Sequence, residues 1–254
     1  MMEAPDPMID YHCHLLPGID DGSRTLTEAL EMARLLARLG YQEVHCTPHC
    51  ITGLYETAPD EVRSRVTELQ QACERGGVGL RLWPGMEYYL DDFFFDRLDT
   101  AVPLGQSRLL LFELPSAGDV HRLKEAIFQI RRRGLFPLLA HPERFAALRP
   151  AAPAPCRWRL GRRSVAAGDM AHFPLIVKEL LAMGCLFQAD IGSFSGLYGA
   201  EAQRAALAFL KRGYYAFLGS DGHRPEQLQR VFRGIDLPFL HSELKCCQGS
   251  VHHY

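Results

Sequence analysis

Histidines and carboxylates recur along this chain at spacings that suit metal ligation. Near the N-terminus, Asp10-Tyr11-His12-Cys13-His14 is followed by Asp20-Asp21-Gly22. In an extended strand alternate side chains share a face, so His12 and His14 project together while Cys13 turns away and reads as packing. One such pair among eleven histidines would carry little alone. The pattern returns, however, at the ends of later apolar runs. His49 follows Val44–Cys46, Glu87 follows Leu80–Trp83, Glu113 follows Leu109–Phe112, His141 follows Leu135–Ala140, and Asp221 with His223 follows Tyr215–Leu218. Imidazole and carboxylate donors without thiolate suit Mn, Fe or Zn rather than a structural thiolate site. Eight or nine such groups exceed the needs of one ion, so two or three clustered divalent ions are implied, with Glu87 able to bridge. Clustered metals lower the pKa of bound water and stabilise both oxygens of a displacement at phosphorus, which makes metal-assisted hydrolysis the supported chemistry.

The elements that must position these residues alternate in type. Ser23–Leu39 reads as a helix, with Thr25 and Glu28 as a capping box and Leu26, Ala29, Leu30, Ala33, Leu36 and Ala37 on one face. Helical patterns recur over residues 59–75, 121–133, 173–183, 200–210 and 225–232. Between them lie seven apolar runs of strand length, one of which, Leu80–Trp83, continues through Pro84-Gly85-Met86-Glu87. Strands alternating with helices imply an α/β fold with a parallel sheet, in which a closed or nearly closed barrel competes with an open doubly wound sheet. In either, the carboxyl ends of the strands share one face. Six of the seven strands then bring His, Asp or Glu to one rim; the exception, Leu186–Ile191, leads to Gly192-Ser193-Phe194. The aromatic run Tyr88, Tyr89, Phe93, Phe94 and Phe95 reads as a packed wall beside the site. Residues 149–170, rich in Pro, Ala and Arg, read as a surface insertion. Residues 1–240 read as one domain and 241–254 as an irregular tail.

Composition narrows the function further. The 254 residues suffice for one sizeable core, and 47% hydrophobic with 23% charged residues is ordinary for a globular chain. A formal net charge of −2 argues against nucleic acid or an anionic membrane as main partner. No apolar run has the length of a membrane span and no signal-peptide pattern opens the chain, so a cytoplasmic protein without membrane insertion is expected. The eight scattered cysteines are expected to be reduced thiols. No Gly-x-Gly-x-x-Gly or Walker loop follows the first strand, which disfavours dinucleotide and nucleoside-triphosphate chemistry.

His12-Cys13-His14, Thr47-Pro48-His49, Gly85-Met86-Glu87, His141-Pro142-Glu143-Arg144 and Ser220-Asp221-Gly222-His223 together resemble the successive motifs of the PHP (polymerase and histidinol phosphatase) domain. Leu16-Pro17-Gly18-Ile19-Asp20-Asp21-Gly22 and His-Pro-Glu-Arg are similar to the metal-dependent bacterial protein-tyrosine phosphatases of capsule and exopolysaccharide operons. The resemblance runs from about Met8 to Phe232, interrupted by 149–170. It implies a distorted seven-stranded (β/α)7 TIM-like barrel with three metal ions, most often Mn. One would be held by His12, His14, Glu87 and Asp221, a second by Glu87, Glu113 and His141. The third would use His49, His223 and Asp21, with Asp20 as the alternative. A bridging hydroxide would attack phosphotyrosine, with Arg144, Arg224, Asp221 and His223 in catalytic roles and the two arginines on the phosphate. The implied substrate is a phosphotyrosine protein, in particular a bacterial tyrosine kinase of polysaccharide synthesis; nothing in the sequence sets the oligomeric state.

Within the PHP group, histidinol phosphate or another small phosphomonoester is the nearest rival substrate, and a metal-stabilised partner of a kinase without turnover is the non-enzyme alternative. Cys156 and Arg162 form a Cys-x5-Arg spacing, but the intervening residues hold a single glycine, Gly161, rather than the several of a phosphate cradle, and coincidence explains it better. An amidohydrolase-type barrel would place a lysine where this chain has Glu113. Glu143 has no evident task beyond orienting a ligand or Arg144.

Overall fold

The structure, a computed structural model, describes residues 7–115, 119–151 and 172–247. In chain order its strands and helices are β1 (Ile9–Cys13), α1 (Leu26–Arg38), β2 (Glu43–Cys46), β3 (His49–Cys50), α2 (Pro59–Arg75), β4 (Arg81–Pro84), β5 (Glu87–Tyr89), β6 (Leu109–Glu113), α3 (Val120–Arg132), β7 (Phe136–Ala140), α4 (Leu175–Ala182), β8 (Leu186–Asp190), the short α5 (Ile191–Phe194), α6 (Gly199–Lys211), β9 (Tyr215–Gly219), α7 (Pro225–Val231) and α8 (Leu237–Cys247). All strand pairings are parallel, in two sheets of order β1-β2-β4 and β3-β5-β6-β7-β8-β9. The α/β class with parallel sheets is therefore as expected.

Nine strands stand among the described residues where seven apolar runs were read, because two runs are interrupted. Pro48 has no N–H to offer a ladder, and β2 gives way to β3 at Thr47-Pro48. Opposite, β4 gives way to β5 at Gly85-Met86, where a Cβ on Gly85 would lie 2.6 Å from a Leu104 methyl. The paired breaks transfer the chain from one sheet to the other while keeping His49 beside Glu87. The outer edges also meet: Asp221 N–H donates to His12 O at 2.8 Å and His14 N–H to Gly222 O at 2.9 Å.

Strands β6 and β7 are buried on both faces, which explains their unbroken apolar sequence. Leu109 and Leu111 join Leu138, Ala140, Ala216 and Phe217 in one cluster, while Leu110 and Phe112 join the larger core under the helices. Helix α1 begins as the sequence suggests, with Glu28 N–H donating to Thr25 Oγ1 at 3.2 Å. Its Glu28 carboxylate, however, accepts from Arg24 N–H at 2.8 Å, one residue before the cap. Its inward face is Ala29, Met32, Ala33 and Leu36, whereas Leu26 is exposed.

The C-terminal region differs from expectation. Residues 237–247 are helical, and α8 buries Leu237, Leu240 and Leu244 at i, i+3, i+7 spacing. The irregular tail therefore starts no earlier than residue 248. The Cys156–Arg162 pair and most of the 149–170 insertion lie outside the described residues. Of that insertion's start, Arg149 donates to Glu143 O at 2.9 Å and Arg144 O at 2.7 Å, tying it to the His-Pro-Glu-Arg turn.

Candidate metal centre

The carboxyl ends of the strands gather the ligand candidates into three overlapping groups, and within each the donor atoms lie within 4.8 Å of one another. In the first, His12 Nε2 is 3.1 Å from Glu87 Oε2 and 3.3 Å from Asp221 Oδ1, and His14 Nε2 is 3.4 and 3.2 Å from the same two oxygens. In the second, Asp21 Oδ1 lies 3.5 Å from both His49 Nε2 and His223 Nε2, with His14 completing the group. In the third, His49 Nδ1 is 3.0 Å from Glu87 Oε2 and 3.3 Å from Glu113 Oε1. His141 Nε2 stands beside it, 3.1 Å from Glu87 Oε1 and 3.9 Å from Glu113 Oε2. His49 thus faces two groups at once, a position that strand spacing alone does not reveal.

The residues present fit divalent cations. Glu87 Oε2 is fully buried without a hydrogen-bond partner while three imidazole nitrogens converge on it, and His49 Nδ1 and His141 Nδ1 are likewise unpartnered. A cation satisfies such donors where a proton on every ring would not. Against burial, His12 and His49 hold the Glu87 carboxyl well below its usual range, and Arg144, His12 and His223 do the same for Asp221. Burial, followed by Glu87, pushes Glu113 up. Burial and the Arg144 charge hold His141 down at about 4, neutral and available as a donor.

Three of the histidines are aimed by a second partner. Gln188 Oε1 lies 2.9 Å from His12 Nδ1, Asp20 Oδ2 2.7 Å from His14 Nδ1, and the Asp221 carbonyl 2.9 Å from His223 Nδ1. In each case Nε2 is left to face inward. Asp20 and Asp21 stand differently: Asp21 faces His49 and His223, whereas Asp20 sits behind His14 and also accepts from His49 N–H at 3.0 Å. Close approach requires glycine at two points. A Cβ on Gly22 would come within 2.3 Å of His14 O, and one on Gly219 within 2.4 Å of the His12 Cβ. His141 (φ 35°) and Asp221 (φ 48°) are the non-glycine residues with positive φ among those described. Such backbone costs on the order of 1–3 kcal/mol and persists where surrounding contacts impose it.

Arg144 lies between Asp190 and Asp221, with 2.6 Å to Asp221 Oδ2, and its guanidinium carbon is 3.6 Å from the Tyr198 ring centroid. Glu143 is fully buried, accepting from Asp190 N–H at 3.1 Å and from Tyr215 O–H at 2.9 Å. Burial, with the nearby Asp190, raises its carboxyl to about 7. Glu143 thus seats Asp190, which seats Arg144. Asp190 ends β8, so the strand read as bringing no ligand-type residue to the rim in fact does so. The sequence signal is Asp190 itself, the last residue of β8 and one before Ile191. Arg224 lies elsewhere: it caps α7 and reaches Glu28 at 3.3 Å. Of the aromatic run, Tyr88 and Phe94 are buried and Phe93 is exposed, so only part of it is packed wall. Cys13 is core, as expected, and Cys13, Cys46, Cys50, Cys73 and Cys185 are free thiols.

Above the metal groups opens a cavity of about 280 Å³, lined by Asp21, His49, Ile51, Leu54, Tyr55, Glu113, His141, Arg144, Asp221 and His223. Ile51, Leu54 and Tyr55 were not singled out in the sequence, because they sit in a loop without periodicity.

The sequence from residue 8 to 153, which carries most of these groups, matches the family described as capsular polysaccharide synthesis, CpsB/CapC. The chain belongs to this CpsB/CapC family. Among curated relatives it is 25% identical over 252 residues to tyrosine-protein phosphatase YwqE of Bacillus subtilis, covering 93% of this chain and 89% of the relative. It is 25% identical over 244 residues to a putative tyrosine-protein phosphatase CapC of Staphylococcus aureus, covering 94% and 87%. Among solved structures, one chain from the crystal structures of YwqE from Bacillus subtilis and CpsB from Streptococcus pneumoniae, described as metal-dependent tyrosine phosphatases, matches with TM-score 0.71, 23% identity and 94% of each chain covered. A histidinol phosphate phosphatase of Lactococcus lactis, complexed with zinc, matches in fold with TM-score 0.53, 13% identity, and 94% and 93% coverage.

Proposed function

We propose that this CpsB/CapC member is a metal-dependent protein-tyrosine phosphatase of polysaccharide synthesis. The carrying observation is that three donor groups share residues beneath a cavity into which Arg144 also opens. In this reading the two sheets form a distorted, incompletely closed (β/α)7 barrel whose split strands count as one each, with the domain running on through α8 to Cys247. His12, His14, Glu87 and Asp221 hold one divalent ion. Glu87, Glu113 and His141, with His49 reaching in, hold a second; Asp21, His49 and His223 hold the third. Manganese suits the nitrogen and oxygen donors. Bound there, the ions would supply activated water for in-line attack on phosphorus and charge to stabilise the leaving phenolate.

The chain's own residues set the geometry of that reaction. Arg144 presents guanidinium N–H groups to phosphate oxygens, held in place by Asp190 and Asp221 and by the Tyr198 face. Asp221 and His223 link that arginine to the metal groups. Arg224, paired with Glu28 outside the cavity lining, is left out of phosphate binding. The inferred substrate is a tyrosine kinase of the same synthesis system, and the inferred compartment is the cytoplasm. Among the described residues no helix is long and apolar enough to cross a membrane.

Chelation is expected to abolish turnover of a phosphotyrosine peptide, Mn to restore it, and Cys156→Ser to leave it unchanged. Turnover that survives chelation but is lost in Cys156→Ser would overturn the proposal. Faster hydrolysis of histidinol phosphate than of the peptide would move the substrate to the small-molecule branch.

A further inference from the structure

The cavity has two kinds of wall. Seven of its lining residues are charged or imidazole groups of the floor; Ile51, Leu54 and Tyr55 form an apolar side. These three come from one tight turn. Ile51 and Tyr55 exchange backbone hydrogen bonds at 2.9 Å in both directions, and Gly53 at the apex takes φ +75°. The turn is fixed from below: Thr52 N–H donates to Asp91 Oδ2 at 2.9 Å, and Arg97 holds the same carboxylate oxygen at 3.3 Å. Tyr55 lies nearly parallel to the His49 ring, 5.9 Å between centroids and 14° between planes. Leu54 remains 64% exposed at the rim.

We infer that the 51–55 turn recognises the aryl group of the phosphate ester, with Tyr55 as its stacking face and Ile51 and Leu54 as its flanks. This rests on the phosphatase reading above. Among the described residues, a phosphate oriented by Arg144 leaves its ester group no apolar lining in this cavity other than this turn. Offset or edge-on packing of a phenyl ring against Tyr55 adds to simple area burial, whereas an alkyl ester gains neither. A phenyl ring also carries the phosphate away from the peptide backbone, so the backbone stays outside the rim at Leu54. A seryl ester is too short for that and would drag the peptide into the cavity.

The test uses the Mn-loaded full chain and two non-hydrolysable probes, phenylphosphonate and methylphosphonate, titrated by calorimetry. Wild type should prefer phenylphosphonate, Tyr55→Ala should lower the phenyl-over-methyl ratio by about tenfold, and Tyr55→Phe should preserve it. With paired peptides, Tyr55→Ala should raise KM for the phosphotyrosine form more than it lowers kcat. Leu54→Ser, at an exposed position, should lower the ratio by a smaller factor and serves if Tyr55→Ala does not fold. A ratio unchanged in the folded variants, or no phenyl preference in wild type, overturns the inference. Binding of neither phosphonate overturns the phosphatase reading itself, and the inference with it.

Discussion

Two buried histidine environments, one just after β1 and one on β2, show how neighbouring strands set the surroundings of an imidazole. His14 and its neighbours meet carboxylates: burial opposes a charge on His14, but Asp20 raises it well above its ordinary value. His45 on β2 is also buried, yet it stacks on Tyr11 (5.2 Å, 20°), lies near Gly105 and Trp83, and its Nδ1 has no partner. There burial alone pushes the imidazole down to about 4. Tyr11 and His12 are adjacent in sequence and lead into these two surroundings. The difference is made by what the neighbouring strands contribute: Glu87 and Asp221 in one place, aromatic rings in the other.

Glu87→Gln is the sharpest way to break this comparison. It removes the one charge shared by two donor groups, and phosphatase activity should fall to the level of the chelated protein. His141→Ala should also lose activity while the protein still folds, as read by circular dichroism; unchanged turnover would remove His141 from the metal groups. Asp20→Asn should weaken metal affinity by about 10- to 100-fold, measured by competition with a chelator, because the partner that aims His14 loses its charge. The effect at His45 is on stability and leaves the metal donors untouched. Its folded-state pKa of about 4 lies below the usual 6.5, so the unfolded chain binds this proton first. The stability it contributes is therefore complete above pH 6.5 and is lost as pH falls toward 4. His45→Leu should flatten that part of the urea-unfolding profile by roughly 3 kcal/mol. A variant with the wild-type slope would show that His45 titrates normally.

Much of this arrangement is legible in the sequence because it depends on strand ends. His12, His14, Glu113, His141 and Asp221 each end or follow an apolar run, and a parallel fold brings such ends to one face. What escapes is set by backbone or by distant partners. The breaks at Pro48 and Gly85 become meaningful only once two sheets are known to meet there. His49 bridges two groups through its two ring nitrogens, which residue spacing cannot express. Asp190 sits one residue inside an apolar run that continues to Ile191, and Arg224, though next to His223 in sequence, turns away to Glu28. In α8, the Leu237, Leu240, Leu244 stripe has only three apolar positions, and it shows as a helix face only where the core receives it.

His141 and Asp221 hold left-handed backbone at the rim. Glycine at either position, or asparagine at 221, would relax the chain. Such a change would also remove an imidazole or a carboxylate from the centre. Selection for heat tolerance and selection for turnover therefore oppose each other at these two positions. A screen that rewards only thermal survival should enrich changes at 141 and 221 and return robust proteins that no longer work.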